Sequence, residues 1–318
     1  MKRLLTTAAA LVALAIPAFA QEMRTVIDDI GREVQVPADP QRIIQLDDTT
    51  LGTPLADFGV PFVGSYVRSA EDGSLWMRGV DVYGLTLEGS DIAPVTVGDD
   101  PDFEAIAKLE PDLILLADWN LGVLEQLEAI APTYVVRSVP DPWSIQEAIA
   151  RAVGEEEQFE QRKAIYEERV EIVRDTGGFE EDLTYTFIFA LEQGFWVNVG
   201  AYNLNLVLDD LGFVPSPFLQ DMIDRGVVWG ELASAEALPE LDADIVLIGY
   251  GDVGETPQSV IANMEATVPN WCDFLPACAA GNVVLYDHTT MATPTFRGNH
   301  VALDVIGSHF ASRLARGE

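Results

Sequence analysis

The stretch SYVRSAEDGSLWMRG places Tyr66, Arg68, Trp76 and Arg78 within thirteen residues, so aromatic planes and guanidinium forks recur side by side. That pairing suits capture of a ligand. An aromatic face covers flat apolar surface, and a guanidinium donates paired hydrogen bonds to oxygen-rich groups while keeping its charge. The same residue types return at Trp119 after DLILLAD, Tyr202 after FWVNVG, Trp229 in DRGVVWGELAS and Arg297 in HTTMATPTFRGNH. Together they fit a large, oxygen-rich organic chelate. Patterns that carry catalysis are missing: the chain has no G-x-S-x-G elbow, no P-loop and no G-x-G-x-x-G after a strand. The histidines are His288, His300 and His309, with no H-E-x-x-H spacing among them. They are read as surface or packing residues, and no protein-held metal site and no catalysed reaction are expected.

Such residues do chemistry only where elements hold them. Short apolar runs, RIIQL, VPFVG, DLILLAD and TYVV, alternate with helical periods at Thr49 to Phe58 and Leu121 to Ile130. The alternation predicts a mainly parallel sheet with helices on both faces. An opening hairpin turns at Gly31 in RTVIDDIGREVQVP. From Glu155 to Asp175 the chain reads as one charged helix, about 30 Å long at 1.5 Å per residue, with Phe159, Ile165, Tyr166, Val170 and Val173 as its apolar stripe. After Gly177-Gly178 the alternation restarts with TYTFIFA, FWVNVG, DIVLIGY and NVVLYD. The expected organisation is a signal peptide over 1–20, an α/β lobe over 21–153, a connecting helix over 154–177 and a second α/β lobe over 178–318. In open α/β sheets ligands sit beyond the carboxyl ends of strands, where the aromatic and arginine residues fall.

Composition narrows the class. Lys2 and Arg3, an apolar run from Leu4 to Ile16 and Ala18-Phe19-Ala20 before Gln21 form a secretory leader, too short for a membrane anchor. Gln21 rather than cysteine offers no thiol for lipid attachment, so a free periplasmic protein is expected. Eighteen basic residues against 52 acidic ones give a net charge of −34, and −36 once Lys2 and Arg3 leave with a leader that holds no acid. Nucleic acid is excluded as a partner, since phosphate binding needs a basic footprint. Cys272 and Cys278, the only cysteines, read as a disulfide closing a small loop in an oxidising compartment.

One phrase is written twice. EAIAKLEPDLILL starts at Glu104 and EALPELDADIVLI at Glu236, 132 positions later and in register without a gap. Asp102 and Ser234 are helix N-caps, Glu104 and Glu236 fall in the first turn, Leu109 and Leu241 close onto the core, and Asp112 and Asp244 lead into strands.

The segments TVIDDIGREVQVPADPQRIIQLD, DFEAIAKLEPDLILLAD, the charged helix and VVWGELASAEALPELDADIVLIG followed by LPACAAGNVVLYD resemble the periplasmic iron-siderophore binding proteins of ABC importers. The group also includes cobalamin binders, and the resemblance spans most of the chain after residue 20. It implies two α/β lobes joined by one long rigid helix, and a monomer that captures a ferric siderophore and delivers it to an inner-membrane permease dimer. Iron would be bound only through the siderophore, with no cofactor of the protein's own. It implies that Glu104 and Glu236 contact the permease, one per lobe, and that Trp229 meets the ligand. Hydroxamate binders of the group carry an arginine just before the PDFEAI segment, where this chain has Asp99 and Asp100. The departure argues against their hydroxamate chemistry here and leaves Arg68, Arg78 or Arg297 as cationic ligand contacts, beside the aromatic faces of Trp76, Trp119, Tyr202 and Trp229. Haem, cobalamin or another metal chelate is the alternative cargo; a secreted α/β enzyme and a bare metal-ion receptor are the readings from other classes.

Overall fold

The computed structural model describes residues 21–70, 72–98, 100–139, 141–179, 182–251 and 255–316, so the leader expected over 1–20 and Asp99 lie outside the described residues. The hairpin pairs β1 (Met23–Ile27) with β2 (Glu33–Pro37), and Gly31 takes the left-handed φ of 84° that its turn needs. A seven-stranded sheet follows, built from β3 (Ile43–Gln45), β4 (Phe62–Ser69), β5 (Leu75–Trp76), β6 (Ala93–Val97), β7 (Asp100–Pro101), β8 (Leu113–Ala117) and β9 (Thr133–Val136). Its order is β7-β6-β4-β3-β8-β9, with β5 paired to β4. The four pairings among β6, β4, β3, β8 and β9 are parallel. Both faces are buried, and the alternation is visible residue by residue. Ile43, Leu113 and Leu115 join one core cluster, while Ile44, Ile114 and Leu116 join the one on the opposite face.

The second sheet holds β10 (Thr184–Leu191), β11 (Gly194–Asn198), β12 (Val214–Pro215), β13 (Gly230–Ala233), β14 (Ile245–Tyr250) and β15 (Val283–Asp287) in the order β13-β11-β10-β14-β15, with β12 also on β10. It is more mixed than the strand and helix alternation predicts. The pairings of β10 with β12 and β14, and of β14 with β15, are parallel, but β10 and β11 form a hairpin and β11 pairs antiparallel with β13. The reason is local: Leu191 pairs directly with Gly194 across Glu192 and Gln193, a two-residue loop that reverses the chain without a helix.

The charged helix spans Glu156–Gly177 and ends at Gly178 in the left-handed region. Phe159 packs in the first sheet's core, Tyr166 and Val170 in the second's, so one continuous helix is anchored in both. Ile165, expected in the stripe, is instead 54% exposed, because its place in the 3.6-residue turn points away from both cores. A second helix, Phe296–Arg316, does the same without having been foreseen: Phe296 is buried in the first core, while Ala302, Leu303 and Ile306 are buried in the second.

The two helices meet the first sheet's lobe at Asp57. Its nearly buried carboxylate accepts from Arg162 Nη2 at 2.8 Å, Tyr83 Oη at 3.0 Å and the Phe296 backbone N–H at 2.9 Å. The Arg162 guanidinium lies 4.4 Å from the Phe296 ring centroid and donates to the Asp57 carbonyl. Burial first, and the Asp57 charge next, hold the Tyr83 phenol protonated well above its usual range.

The duplicated phrase builds related but unequal units. Asp102 caps the helix Phe103–Lys108 by accepting from Ala105 N at 2.9 Å, as expected. Ser234 begins a 3-10 turn, Ala235–Leu241, without a side-chain cap bond, its hydroxyl engaging the Glu236 carboxylate instead; Pro239 lies inside the turn and removes one donor. The shared aspartate has one role in both: Asp112 accepts from the Gln41 and Arg42 backbone N–H groups, and Asp244 from Thr184 N and Oγ1. Each clasps the start of the neighbouring parallel strand, β3 in one sheet and β10 in the other.

Candidate functional site between the lobes

Two cavities lie where the sheets face each other. The first, 400 Å³, is lined by Arg78 from the first lobe and by Phe189, Leu191, Trp196, Asn198 and His288 among others from the second. The second, 440 Å³, runs from Trp76, Asp81 and Glu88 to Gly251 and Thr289. The lobes touch between them. Gly79 has φ of 75°, and a Cβ there would stand 3.1 Å from the Thr289 carbonyl oxygen, so only glycine fits this approach without displacement.

Strand ends place these side chains. Phe189 and Leu191 close β10, Gly249 lies near the end of β14, and His288 follows β15 directly. A Cβ on Gly249 would come within 2.2 Å of the Phe189 ring, so the glycine lets that ring lie flat across β14. The ring in turn meets His288 edge-on at 5.2 Å. Trp196 is fixed by its indole N–H, which donates to Asn198 Oδ1 at 2.6 Å.

On the facing wall, the arm from Leu75 to Gly79 is held by the pairing of β5 with β4, by the buried Met77 and by one buried carboxylate. Asp48 opens a π-turn, Asp48–Gly52, that breaks the regular winding ahead of the helix Thr53–Phe58. It accepts from Arg68 Nε and Nη2, both at 2.8 Å, and from the Arg78 backbone N–H at 2.7 Å. The Arg68 guanidinium is held firmly protonated by this pairing, against a burial that works the other way. It lies 5.5 Å from the Tyr66 ring centroid and 5.9 Å from that of Trp76, and Arg78 lies 5.8 Å from Trp76. Next to Asp48, burial pushes the Asp47 carboxyl up, and its neighbour's charge adds to the effect.

The seven expected ligand residues therefore separate. Arg68, Trp76 and Arg78 converge at the cleft, Trp76 and Arg78 on cavity walls and Arg68 behind them. Tyr202 and Trp229 form a pair with centroids 5.4 Å apart, and Tyr202 is buried against the first lobe's core, its phenol pushed up to about 12 by burial. Trp119 is 46% exposed on the turn after β8 and lines neither cavity. Arg297 stands at the lobe joint, its backbone N–H near Asp57 and its guanidinium 6.0 Å from the Tyr83 ring. Phe189, Trp196, Asn198 and His288 were not foreseen as site residues. Their signal was present, since each lies within or directly after a predicted strand of the second lobe. His288 lines the cavity rather than serving only as a packing residue. No cluster of three or more metal-ligating side chains exists among the described residues.

Glu104 and Glu236 are exposed, away from the cavity linings. Glu104 pairs with Lys108 at 2.8 Å, and Glu236 is kept below the usual carboxylate range by its own backbone N–H and then by the Ser234 hydroxyl. Cys272 and Cys278 stand together with Cα atoms 5.3 Å apart.

The family profile described as periplasmic binding protein matches residues 76–290. A probable siderophore-binding lipoprotein of Bacillus subtilis, YfiY, is 28% identical over 301 residues, which cover 90% of this chain and 87% of that protein. Among solved structures, Staphylococcus aureus SirA complexed with staphyloferrin B is similar with a TM-score of 0.71 at 20% identity, over 92% of this chain and 98% of SirA. The siderophore periplasmic binding protein from the fuscachelin gene cluster of Thermobifida fusca gives 0.66 at 25% identity, over 87% and 98%. These likenesses run through both sheets and the helix between them.

Proposed function

Because the chain belongs to the periplasmic binding protein family, we propose that it captures a ferric siderophore between its lobes outside the cytoplasm and delivers it to an ABC permease. The observation that carries this reading is the interlobe cleft, where aromatic faces and Arg78 from opposite lobes converge beyond the strand ends. The relatives named for siderophores support it. In this reading the protein catalyses no reaction and has no cofactor, and iron is held by its chelator. Trp76, Arg78, Phe189 and Trp196 grip the chelate, with Arg68 holding the arm in place. The leader over 1–20 directs export and is cleaved before Gln21, the mature chain is a free monomer in the periplasm, and Cys272 and Cys278 are oxidised there.

Glu104 and Glu236, one on each lobe and both open to solvent, make the two permease contacts. Titrating the purified chain with ferric chelates, haem and cobalamin while following tryptophan fluorescence tests capture. A ferric chelate is expected to change the emission saturably, and haem or cobalamin binding in its place overturns the cargo assignment. The double variant Glu104→Ala/Glu236→Ala is expected to bind the chelate normally and slow its uptake by cells; unchanged uptake removes the permease assignment.

A further inference from the structure

The charge of the cleft limits which chelates it accepts. From residue 21 on, every lysine and arginine of the chain falls among the described residues. Of these, Arg78 lines the first interlobe cavity, and none lines the second. Arg68, just behind the wall, is matched by the buried Asp48 through two 2.8 Å hydrogen bonds, so the pair adds no net charge. Arg297 is turned to the lobe joint. Against Arg78 stand three carboxylates in the same linings, Glu255 in the first cavity and Asp81 and Glu88 in the second. The remaining walls of the first cavity are largely apolar or aromatic, and the whole chain carries −34.

Resting on the siderophore-capture reading above, we propose that the cleft selects ferric chelates of low net charge over polyanionic catecholate or citrate chelates. The chemistry follows from charge balance. Three hydroxamates each lose one proton and cancel the charge of Fe³⁺, so the complex is neutral. Three catecholates each lose two protons and leave a trianion. A trianion entering the first cavity meets one cation and one carboxylate, with two further carboxylates in the second cavity and a strongly acidic protein around both, and it must shed its hydration to contact Phe189 and Trp196. A neutral complex meets no such opposition and gains from burying its apolar rim on the same rings.

The test compares ferrichrome, a neutral tris-hydroxamate, with ferric enterobactin, a tris-catecholate trianion, and with ferric citrate. Binding to the purified chain is read by tryptophan quenching at low and at 0.5 M salt, a concentration of about the order at which exposed charges are screened within a few ångströms. The expected result is ferrichrome at least about 100-fold tighter at low salt, with the gap narrowing as salt screens the repulsion. Leu191→Arg adds a cation on the rim of the first cavity, at a half-exposed site that tolerates it. At about 8 Å from a trianion in water-like dielectric, it should improve enterobactin binding relative to ferrichrome about tenfold. Equal or tighter binding of the catecholate to the unaltered chain, or no gain from Leu191→Arg, overturns the selectivity while chelate capture stands. Failure of all three chelates to bind overturns capture, and the selectivity with it.

Discussion

The Asp48 carboxylate helps hold the arm that carries Trp76 and Arg78, beside the pairing of β5 with β4, and replacing it should be costly in a defined way. Asp48→Ala removes two hydrogen bonds from Arg68 and one from the Arg78 backbone N–H. Breaking a fully buried ion pair costs about 3–5 kcal/mol. Arg68 keeps 27% of its side chain exposed and can turn to water, so the lower end, about 3 kcal/mol, is expected. Asp48→Asn keeps the shape and an acceptor for the Arg78 N–H but loses the charge, and should cost about 2 kcal/mol. Urea unfolding followed by tryptophan fluorescence measures both. The decisive quantity is the coupling in a double-mutant cycle of Asp48→Asn with Arg68→Gln, expected at about 1.5 kcal/mol. Chelate affinity of Asp48→Asn should fall about tenfold, because ordering the freed arm on binding then costs about 1.4 kcal/mol. Coupling below about 0.5 kcal/mol, the range of independent sites, or an unchanged affinity, would refute the idea that this pair tethers the binding arm.

Asp57→Ala should destabilise the chain by about 3 kcal/mol in the same unfolding assay, since it leaves Arg162 without its carboxylate partner at the joint of both helices. Asp57→Asn should recover part of that loss. Asp209 is pushed up to about 6, by desolvation first and by Asp210 next. The folded protein then holds this proton more tightly than the unfolded chain, so the group's contribution is fully present below pH 4 and is lost as pH rises through about 6. Asp209→Asn should therefore gain up to about 1 kcal/mol relative to the unaltered chain at pH 7.5, solvent screening limiting the gain, and nothing at pH 3.5; thermal melts at the two pH values check it. The Cys272 and Cys278 pair, assayed by thiol titration of periplasmic extract, should show no free thiol, and reduction should lower stability by about 2 kcal/mol.

Legibility differed by kind of residue. The strands RIIQL, DLILLAD, TYVV, TYTFIFA and DIVLIGY could be read directly because short β-branched and leucine-rich runs between turn residues have few other uses. The long helix was legible from its charge and the glycines after it. Strand β6, written APVTV, escaped notice because its proline and threonine break the apolar run. At the site, Trp76 and Arg78 were found because aromatic and arginine residues crowd into a helix-poor segment that follows a strand. Phe189 and Trp196 were passed over because, on a strand, alternation alone does not say which face meets solvent, which the core and which a second lobe.

By itself, the sequence determined the two α/β units, the helix that separates them, the duplicated helix-to-strand phrase and the strongly acidic character. These are local or additive properties: apolar period, capping, turn residues and a sum of charges. Tertiary structure alone decided which strand ends face each other, that Phe296 and Asp57 clamp the lobes through a second helix, and that Arg68 spends its charge on Asp48 while Arg78 reaches the cavity. Those facts depend on contacts between residues up to 240 positions apart, as between Asp57 and Arg297. Such distances and pairings exist only once the chain has closed on itself, because no local pattern encodes which of two like-charged side chains finds the buried partner.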